Sequence, residues 1–359
     1  MGLPYSRSAP VSRRSRVPTS SPTLSAVPDV ALPPGILSYL QRHSVEHARL
    51  VPLTGDASDR RYYRVMPANQ PPFVLALHAQ PFEPGALPFV NVAALFERIP
   101  LPIPRVLGEA ADLGVLAVDD LGDCTLQARL GAASAAEVEA LYDQAVDFLT
   151  TMQRRGQELS DSRYLPYTLA FDVEKLTWEM GFFVRHFLEA YRGVALDPAT
   201  RVALDQELGA MVAELAAEPR VLCHRDYHSR NLMVTDRGLV IIDFQDARLG
   251  PNTYDLVSLL RDSYVDLPST LIDRLIERFR NGVDRPETRE AFDGRFDLMA
   301  MQRNLKALGT FGYQTVSRSN PVYAQYVPRT LRHVRDALIR RARFGHLREI
   351  LAGLVPELR

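Results

Sequence analysis

A chain of 359 residues with a formal net charge of −1 can bury a sizeable core in two lobes. Its charge balance gives no pull towards nucleic acid or an acidic membrane surface. Two cysteines exclude a disulfide framework, and no apolar run approaches the length of a membrane span. Residues 1–28 stand apart, rich in Ser, Pro and Arg (Arg7, Arg13, Arg14, Arg16), with no acid before Asp29. They hold no apolar core of a secretory signal. The composition has something of an organelle transit peptide, but the prolines oppose the amphipathic helix such a peptide needs. A disordered tail on a cytoplasmic protein is the expectation.

Beyond the tail, ILSYLQRH and VEHARLVPL lead into LTGDASDRRYYRV at 53–65, where a Gly between turn-formers reads as strand–loop–strand. FVLAL at 73–77 is a further strand. The apolar spacing of PFVNVAALFERI, 88–99, suits a short helix. Residues 103–122 form a two-stranded element broken at Asp112 and ending on Asp119-Asp120-Leu121-Gly122. The remainder is mostly helical. Residues 137–155 carry Leu141, Ala145, Leu149 and Met152 on one face, and 172–191 and 199–217 are similar. A helix begins near Asp255, Ser269 is placed to cap TLIDRLIERFRN with Gly282 closing it, and two more helices lie near 293–311 and 328–343. No internal repeat is visible.

The stretch VLCHRDYHSRNLMV, 221–234, interrupts these helices with five chemically capable groups. Cys223, His224 and His228 invite a zinc reading, but Cys124 stands alone and no second ligand pair exists. A Cys–His nucleophile is weakened because Cys223 ends the apolar run VLC, where a small buried residue belongs. The remaining reading is phosphoryl transfer. His224-Arg225-Asp226 followed by Asn231 fits H-R-D-x-x-x-x-N, the kinase catalytic loop, in which the Asp accepts the attacking hydroxyl's proton and the Asn holds magnesium. The next segment, GLVIIDFQD at 238–246, supports it. Thr235-Asp236-Arg237-Gly238 is a turn, so a hairpin brings Asn231 and Asp243 to one sheet edge, two hard oxygen ligands for magnesium beside phosphate. Asp243-Phe244 then reads as the start of D-F-G, with Gln245 in place of the Gly.

After Asp243 there is no long activation segment and no A-P-E motif. GPNTYDLVSLLRD follows instead. The order HxDxxxxN, IDF, GPxxYDL resembles the aminoglycoside phosphotransferase superfamily over roughly residues 50–340. GDASDRRYYR, HRDYHSRNLM, DFQDARLGPNTYDLVSLLRD and LMAMQRNLKALGTF are together most similar to its anomeric N-acetylmuramate/N-acetylglucosamine kinases. The resemblance implies an α+β, bilobal, protein-kinase-like fold: a strand-rich N-lobe over 29–118 and a mostly helical C-lobe over 119–359. It implies ATP and Mg2+ as cofactors and a small amino sugar, phosphorylated at C1 in cell-wall recycling, as substrate. His224 and Asp255 become structural, Asp255 bracing the catalytic loop.

In this reading Asp226 is the catalytic base, and Asn231 and Asp243 hold magnesium. Backbone amides of Gly55, Asp56, Ala57 and Ser58 cover the phosphates, and adenine meets the backbone of Ala117, Val118 and Asp119. His228, Arg230, Gln245 and Asp246 are sugar contacts, with Gln302 and Arg303 behind them. One departure stands out. FVLALHAQP lacks the strand lysine that normally holds the α- and β-phosphates. Either the protein is a nucleotide-binding pseudokinase, or an arginine of GDASDRRYYR replaces the lysine; strand alternation admits only one of Arg60 and Arg61, and Arg61 is the expectation. An aminoglycoside, a polycation, would need clustered acids, whereas PRTLRHVRDALIRRARFGHLR is rich in arginine. Oligomeric state is not legible.

Overall fold

A computed structural model describes residues 32–53, 60–283 and 286–359. The phosphate-loop positions Gly55, Asp56, Ala57 and Ser58, and the tail over 1–28, lie outside these. The strand-rich half opens with α1 (Pro34–Arg42), β1 (Arg49–Leu53), β2 (Arg61–Met66), β3 (Phe73–Leu77), α2 (Pro88–Arg98), β4 (Val106–Ala110) and β5 (Val115–Asp119). Its five strands form one antiparallel sheet in the order β1-β2-β3-β5-β4. Alternation decides its faces. Tyr63, Val65, Leu75 and Leu77 point towards α1 and build a small core with Ile36 and Leu40. Tyr62, Arg64 and Ala76 take the opposite side. Asp112 falls in the 3-10 turn between β4 and β5, closed by Gly114 at φ 66°.

The helical half comprises α3 (Leu126–Leu130), α4 (Ala135–Glu158), α5 (Val173–Phe183), α6 (Pro198–Ala217), β6 (Arg220–Cys223), β7 (Leu232–Thr235), β8 (Gly238–Ile241), β9 (Arg248–Pro251), α7 (Tyr254–Leu260), α8 (Ser269–Gly282), α9 (Arg289–Val316), α10 (Val327–Arg340) and α11 (Gly345–Leu354). No described helix is long and apolar enough to cross a membrane. The apolar face of α2 (Val92, Leu95, Phe96) joins the core of this half rather than that of the sheet. Its Phe89 stacks on Phe244 at 4.6 Å, with Phe96 at 5.3 Å, so the helix rests on the residue after Asp243. The α+β bilobal architecture expected from the sequence is the one observed.

Two local expectations differ from the structure. Ser269 is the first helical residue of α8 rather than its cap; Pro268 precedes it and no side chain caps the helix. Ser134, Asp172, Asp197 and Thr288 do cap α4, α5, α6 and α9 through side-chain oxygens. The helix over 172–191 changes character after Phe183 and runs on to Tyr191 with π geometry. Here α9 passes very close. A Cβ added to Gly312 would stand 2.3 Å from the carbonyl O of His186, and one on Gly309 would stand 2.9 Å from the Phe183 backbone. Only glycine admits that approach.

Candidate active site

The site is built on two short antiparallel pairs, β6–β9 and β7–β8, the latter in register Leu232↔Ile241. The loop between β6 and β7 carries residues 224–231. Two buried carboxylates hold it by its backbone. Asp255, at the start of α7, accepts the N–H of His224 at 2.6 Å and that of Arg225 at 3.0 Å. Asp262, just past the end of α7, accepts the N–H of Ser229 at 3.0 Å and that of Tyr264 at 2.8 Å. Burial raises both carboxyls, against the hydrogen bonds that favour the ionised form. Asp262 was not singled out in the sequence; the available signal was a second acid closing the apolar run that Asp255 opens.

His224 is fully buried and fixed at both ring nitrogens. Nε2 lies 2.9 Å from Ile242 O, and the N–H of Asp226 points at Nδ1 from 3.3 Å. The partners assign the tautomer: Nε2–H donates and Nδ1 accepts. Burial lowers the ring's proton affinity, so it stays neutral. The zinc reading of Cys223, His224 and His228 therefore fails, since the His224 nitrogens are occupied. No cluster of three metal-ligating His, Cys, Asp or Glu occurs among the described residues. Burial pushes the Cys223 thiol well up, which removes it as a nucleophile.

Asn231 donates Nδ2–H to Asp226 O at 2.9 Å and to Asp243 Oδ2 at 3.2 Å. That commits the NH2 group and leaves Oδ1 as an acceptor beside a carboxylate. Asp243 Oδ1 accepts Gln245 Nε2 at 2.8 Å. A carboxylate can accept about four bonds over its two oxygens, and with Asn231 Oδ1 beside it the pair is the hard-oxygen set that suits a magnesium ion sharing its shell with phosphate and water. The backbone pays for this placement: Asp243 at φ 62° and Arg225 at φ 88° sit in the left-handed region, where strain of a few kcal/mol per residue is held by surrounding bonds.

Asp226 faces a cavity of about 330 Å³ lined also by Arg230, Asn231, Asp243, Tyr264, Arg303 and Lys306. Lys306 Nζ donates to Asp226 Oδ1 at 3.1 Å, while Arg303 and Arg225 stand 3.6 and 3.8 Å from the carboxylate. Burial works to raise the Asp226 carboxyl, but Lys306, Arg225 and Arg303 outweigh it and hold it well below the usual range. His228 turns its ring edge on Tyr264 at 5.1 Å, and burial lowers it to about 3, a neutral imidazole at pH 7. Arg230 lies over the same tyrosine ring at 4.9 Å.

Several expected sugar contacts are not brought to the cavity. Gln245, Asp246 and Gln302 do not line it. Gln245 is turned to Asp243, Asp246 pairs with Arg225 at 2.6 Å, and Gln302 donates its Nε2–H to the buried Glu179 of α5 at 2.7 Å. Arg303 lines the cavity but works behind the loop. Its guanidinium donates to Arg225 O and Tyr254 Oη, each at 2.9 Å, and to Ser258 Oγ at 2.5 Å. Lys306, one helical turn on from Arg303, was missed, although Lys175 and Lys306 are the only lysines among 42 basic residues.

On the sheet side, Arg61 shares the face of Tyr63 and Val65, towards α1, and not that of Tyr62 and Arg64. Arg60 falls on the face of Tyr62 and Arg64 and lies close enough to His78 to lower its proton affinity, after burial itself. Arg64 is committed, with Nε at 2.7 Å from Asp120 Oδ2 and Nη2 at 2.9 Å from Asp123 Oδ1. Ala117, Val118 and Asp119 lie within β5, hydrogen-bonded on both sides to β3 and β4. The Asp119 N–H donates to Arg105 O at 3.1 Å. Their backbone is thus engaged inside the sheet.

Comparison with known proteins places the chain in a family. The sequence model of the phosphotransferase enzyme family matches residues 49–291. The N-acetylmuramate/N-acetylglucosamine kinase of Pseudomonas aeruginosa is 32% identical over 315 residues, 86% of this chain and 90% of that one. The protein of the same name from Neisseria meningitidis serogroup B is 31% identical, over 84% of this chain and 89% of its own. Among solved structures, ADP-bound aminoglycoside phosphotransferase APH(2'')-Ib superposes with a TM-score of 0.57 at 15% identity, covering 87% of this chain and 99% of that one. Choline kinase LicA from Streptococcus pneumoniae gives 0.56 at 13% identity, over 85% and 98%. The hairpin that joins Asn231 to Asp243, the loop that presents Asp226 and the matched 243-residue span from 49 to 291 lead to one assignment: the chain belongs to the phosphotransferase enzyme family.

Proposed function

We propose that the protein is an ATP-dependent sugar kinase that phosphorylates the anomeric C1 hydroxyl of an amino sugar of the N-acetylmuramate/N-acetylglucosamine type, in cell-wall sugar recycling. The observation that carries this is the make-up of the cavity over Asp226. Its cations (Arg225, Arg230, Arg261, Arg303, Lys306) outnumber its acids (Asp226, Asp243, Asp262), and Asp262 is spent on backbone N–H groups. A polycationic acceptor would be repelled, whereas a neutral sugar or one bearing a carboxylate fits. Tyr264, Phe311 and Tyr323 give the same cavity an aromatic wall against which the apolar face of a sugar ring packs.

Asp226 receives the acceptor proton as the new O–P bond forms and the bond from phosphorus to the β-phosphate oxygen breaks. An anomeric hydroxyl is more acidic than other sugar hydroxyls, which suits a base as weak as an ionised carboxylate. Asn231 and Asp243 would hold magnesium, which when bound neutralises charge on the β- and γ-phosphates. Arg60, on the cleft face of the sheet, stands in for the absent strand lysine, and adenine meets the backbone at Asp120–Leu121. Phosphorus NMR of the product tests the reading: a 1-phosphate coupled to H1 is expected from N-acetylmuramate or N-acetylglucosamine with Mg-ATP. A 6-phosphate overturns the C1 assignment, and turnover of aminoglycosides alone overturns the sugar.

A further inference from the structure

We infer that Lys306 is a catalytic residue: its ammonium group grips Asp226 and at the same time meets the oxygens that exchange the phosphoryl group. The inference rests on the kinase reading above and adds to it a cation from α9 that belongs to neither the nucleotide loop nor the metal pair.

Three cations surround the Asp226 carboxylate, and their commitments differ. Arg225 is paired with Asp246 at 2.6 Å, and Arg303 directs three of its five N–H donors to Arg225 O, Tyr254 and Ser258 behind the loop. Among the described residues Lys306 makes one side-chain hydrogen bond, 3.1 Å to Asp226 Oδ1. An ammonium group has three donors. Two remain, on a side chain only 15% exposed that lines the cavity together with Asp226, Asn231 and Asp243. A buried, under-used cation beside the base is costly to keep, and its desolvation makes it effective where negative charge develops.

The choice of residue is itself informative. This chain uses arginine at nearly every basic position, with lysine only at 175 and 306. A guanidinium presents a flat fork that closes on one carboxylate or phosphate. An ammonium is a compact point with radial donors, so it can hold Asp226 with one hydrogen and a non-bridging phosphoryl oxygen or the attacking oxygen with another. In the transfer the acceptor O–H proton passes to Asp226, the acceptor oxygen bonds to phosphorus, and the bond to the β-phosphate oxygen breaks. Burial lowers the proton affinity of Lys306 and Asp226 opposes that; in this step the ammonium donates hydrogen bonds and gives up no proton.

The test uses the full-length protein with Mg-ATP and N-acetylglucosamine or N-acetylmuramate, and the variants Lys306→Met and Lys306→Ala. Expected for Lys306→Met is a loss in kcat of about 10²- to 10³-fold with KM for ATP nearly unchanged and nucleotide binding retained. Lys306→Ala should be rescued in kcat by added methylamine or ethylamine, in a saturable way and in the order of amine size and basicity. A merely structural role would instead lower the melting temperature, leave kcat within tenfold and give no amine rescue; that pattern overturns the inference while the kinase reading stands. Wild-type protein without turnover of any amino sugar overturns both. Lys306→Arg separates charge from shape: full activity in Lys306→Arg shows that a fork serves as well as an ammonium, and overturns the donor-sharing argument.

Discussion

The carboxylate of Asp255 lies 2.6 Å from the backbone N of His224 across 31 residues of sequence, and its second oxygen takes the N–H of Arg225. One buried side chain thereby satisfies the two donors that open the catalytic loop, one of them at a residue in left-handed conformation. The loop cannot hold this shape unaided, because a buried N–H without a partner costs about 1–3 kcal/mol.

Asp255→Ala orphans both donors, and a loss of about 2–5 kcal/mol in unfolding free energy is expected. Denaturant unfolding measures it. Turnover should fall further than stability alone explains, since Asp226 follows directly after Arg225. A variant as stable as wild type would show that water can replace the carboxylate.

Asp226→Asn removes the proton acceptor while keeping shape and the backbone bonds around it. Turnover is expected to fall about 10²- to 10⁴-fold, with nucleotide affinity nearly intact, because the carboxylate faces the acceptor cavity. Steady-state kinetics with nucleotide titration checks this, and wild-type turnover would remove the base assignment.

Asp243→Ala takes away the charged member of the metal pair, and Asn231→Ala the neutral one. The first should abolish magnesium-dependent nucleotide binding; the second should weaken it and also loosen the Asp226 carbonyl that Asn231 holds at 2.9 Å. Calorimetric titration of ATP with and without magnesium separates the effects. Equal binding in Asp243→Ala would rule out the metal site.

What the sequence showed, it showed where spacing alone decides geometry. A four-residue turn between two apolar runs brings position 231 to position 243, and the hairpin register follows directly. Strand alternation gave the sheet, and helical periodicity the helices. Residues whose role depends on packing between distant elements stayed hidden. Gln302 and Arg303 look like polar contacts on a motif-bearing helix, yet Glu179, 123 residues away, claims Gln302, and the back of the loop claims Arg303. In LMAMQRNLKALGTF the sequence displays one amphipathic surface. In the fold it divides into a brace, a cavity lysine and, at Gly309, a close approach to the π-helical segment.

Buried histidines make stability fall at mild acid. His333 is pushed down to about 4, first by burial and then by Arg261, and its Nε2 has no partner among the described residues. The unfolded chain takes up this proton near pH 6.5, the folded one only near pH 4. A depressed value in a base means that the stabilisation is complete above pH 6.5 and is lost as pH falls towards 4. The slope is up to about 1.4 kcal/mol per pH unit for one group. Thermal melts of wild type and His333→Gln across pH 4–8 should show the wild type losing more below pH 6.5. Parallel curves would mean that this ring is not the buried neutral group.

The sheet makes the last expectation directional. Arg60 and Arg61 are adjacent, and alternation sends neighbours to opposite faces. Tyr63 and Val65 are buried against α1, which puts Arg61 on that side and Arg60 on the side of Ala76 and His78. There the nucleotide phosphates need a cation that FVLALHAQP does not supply, since His78 is held neutral by burial and by Arg60 itself. Arg64 cannot serve, being clamped between Asp120 and Asp123. Arg60→Ala should therefore lower kcat on the order of 10²-fold, and should raise the KM for ATP. Arg61→Ala should act weakly on both. The reverse order would place nucleotide on the α1 face of the sheet, and equal, small effects from both variants would mean that the charge on the β-phosphate is met from the C-lobe alone.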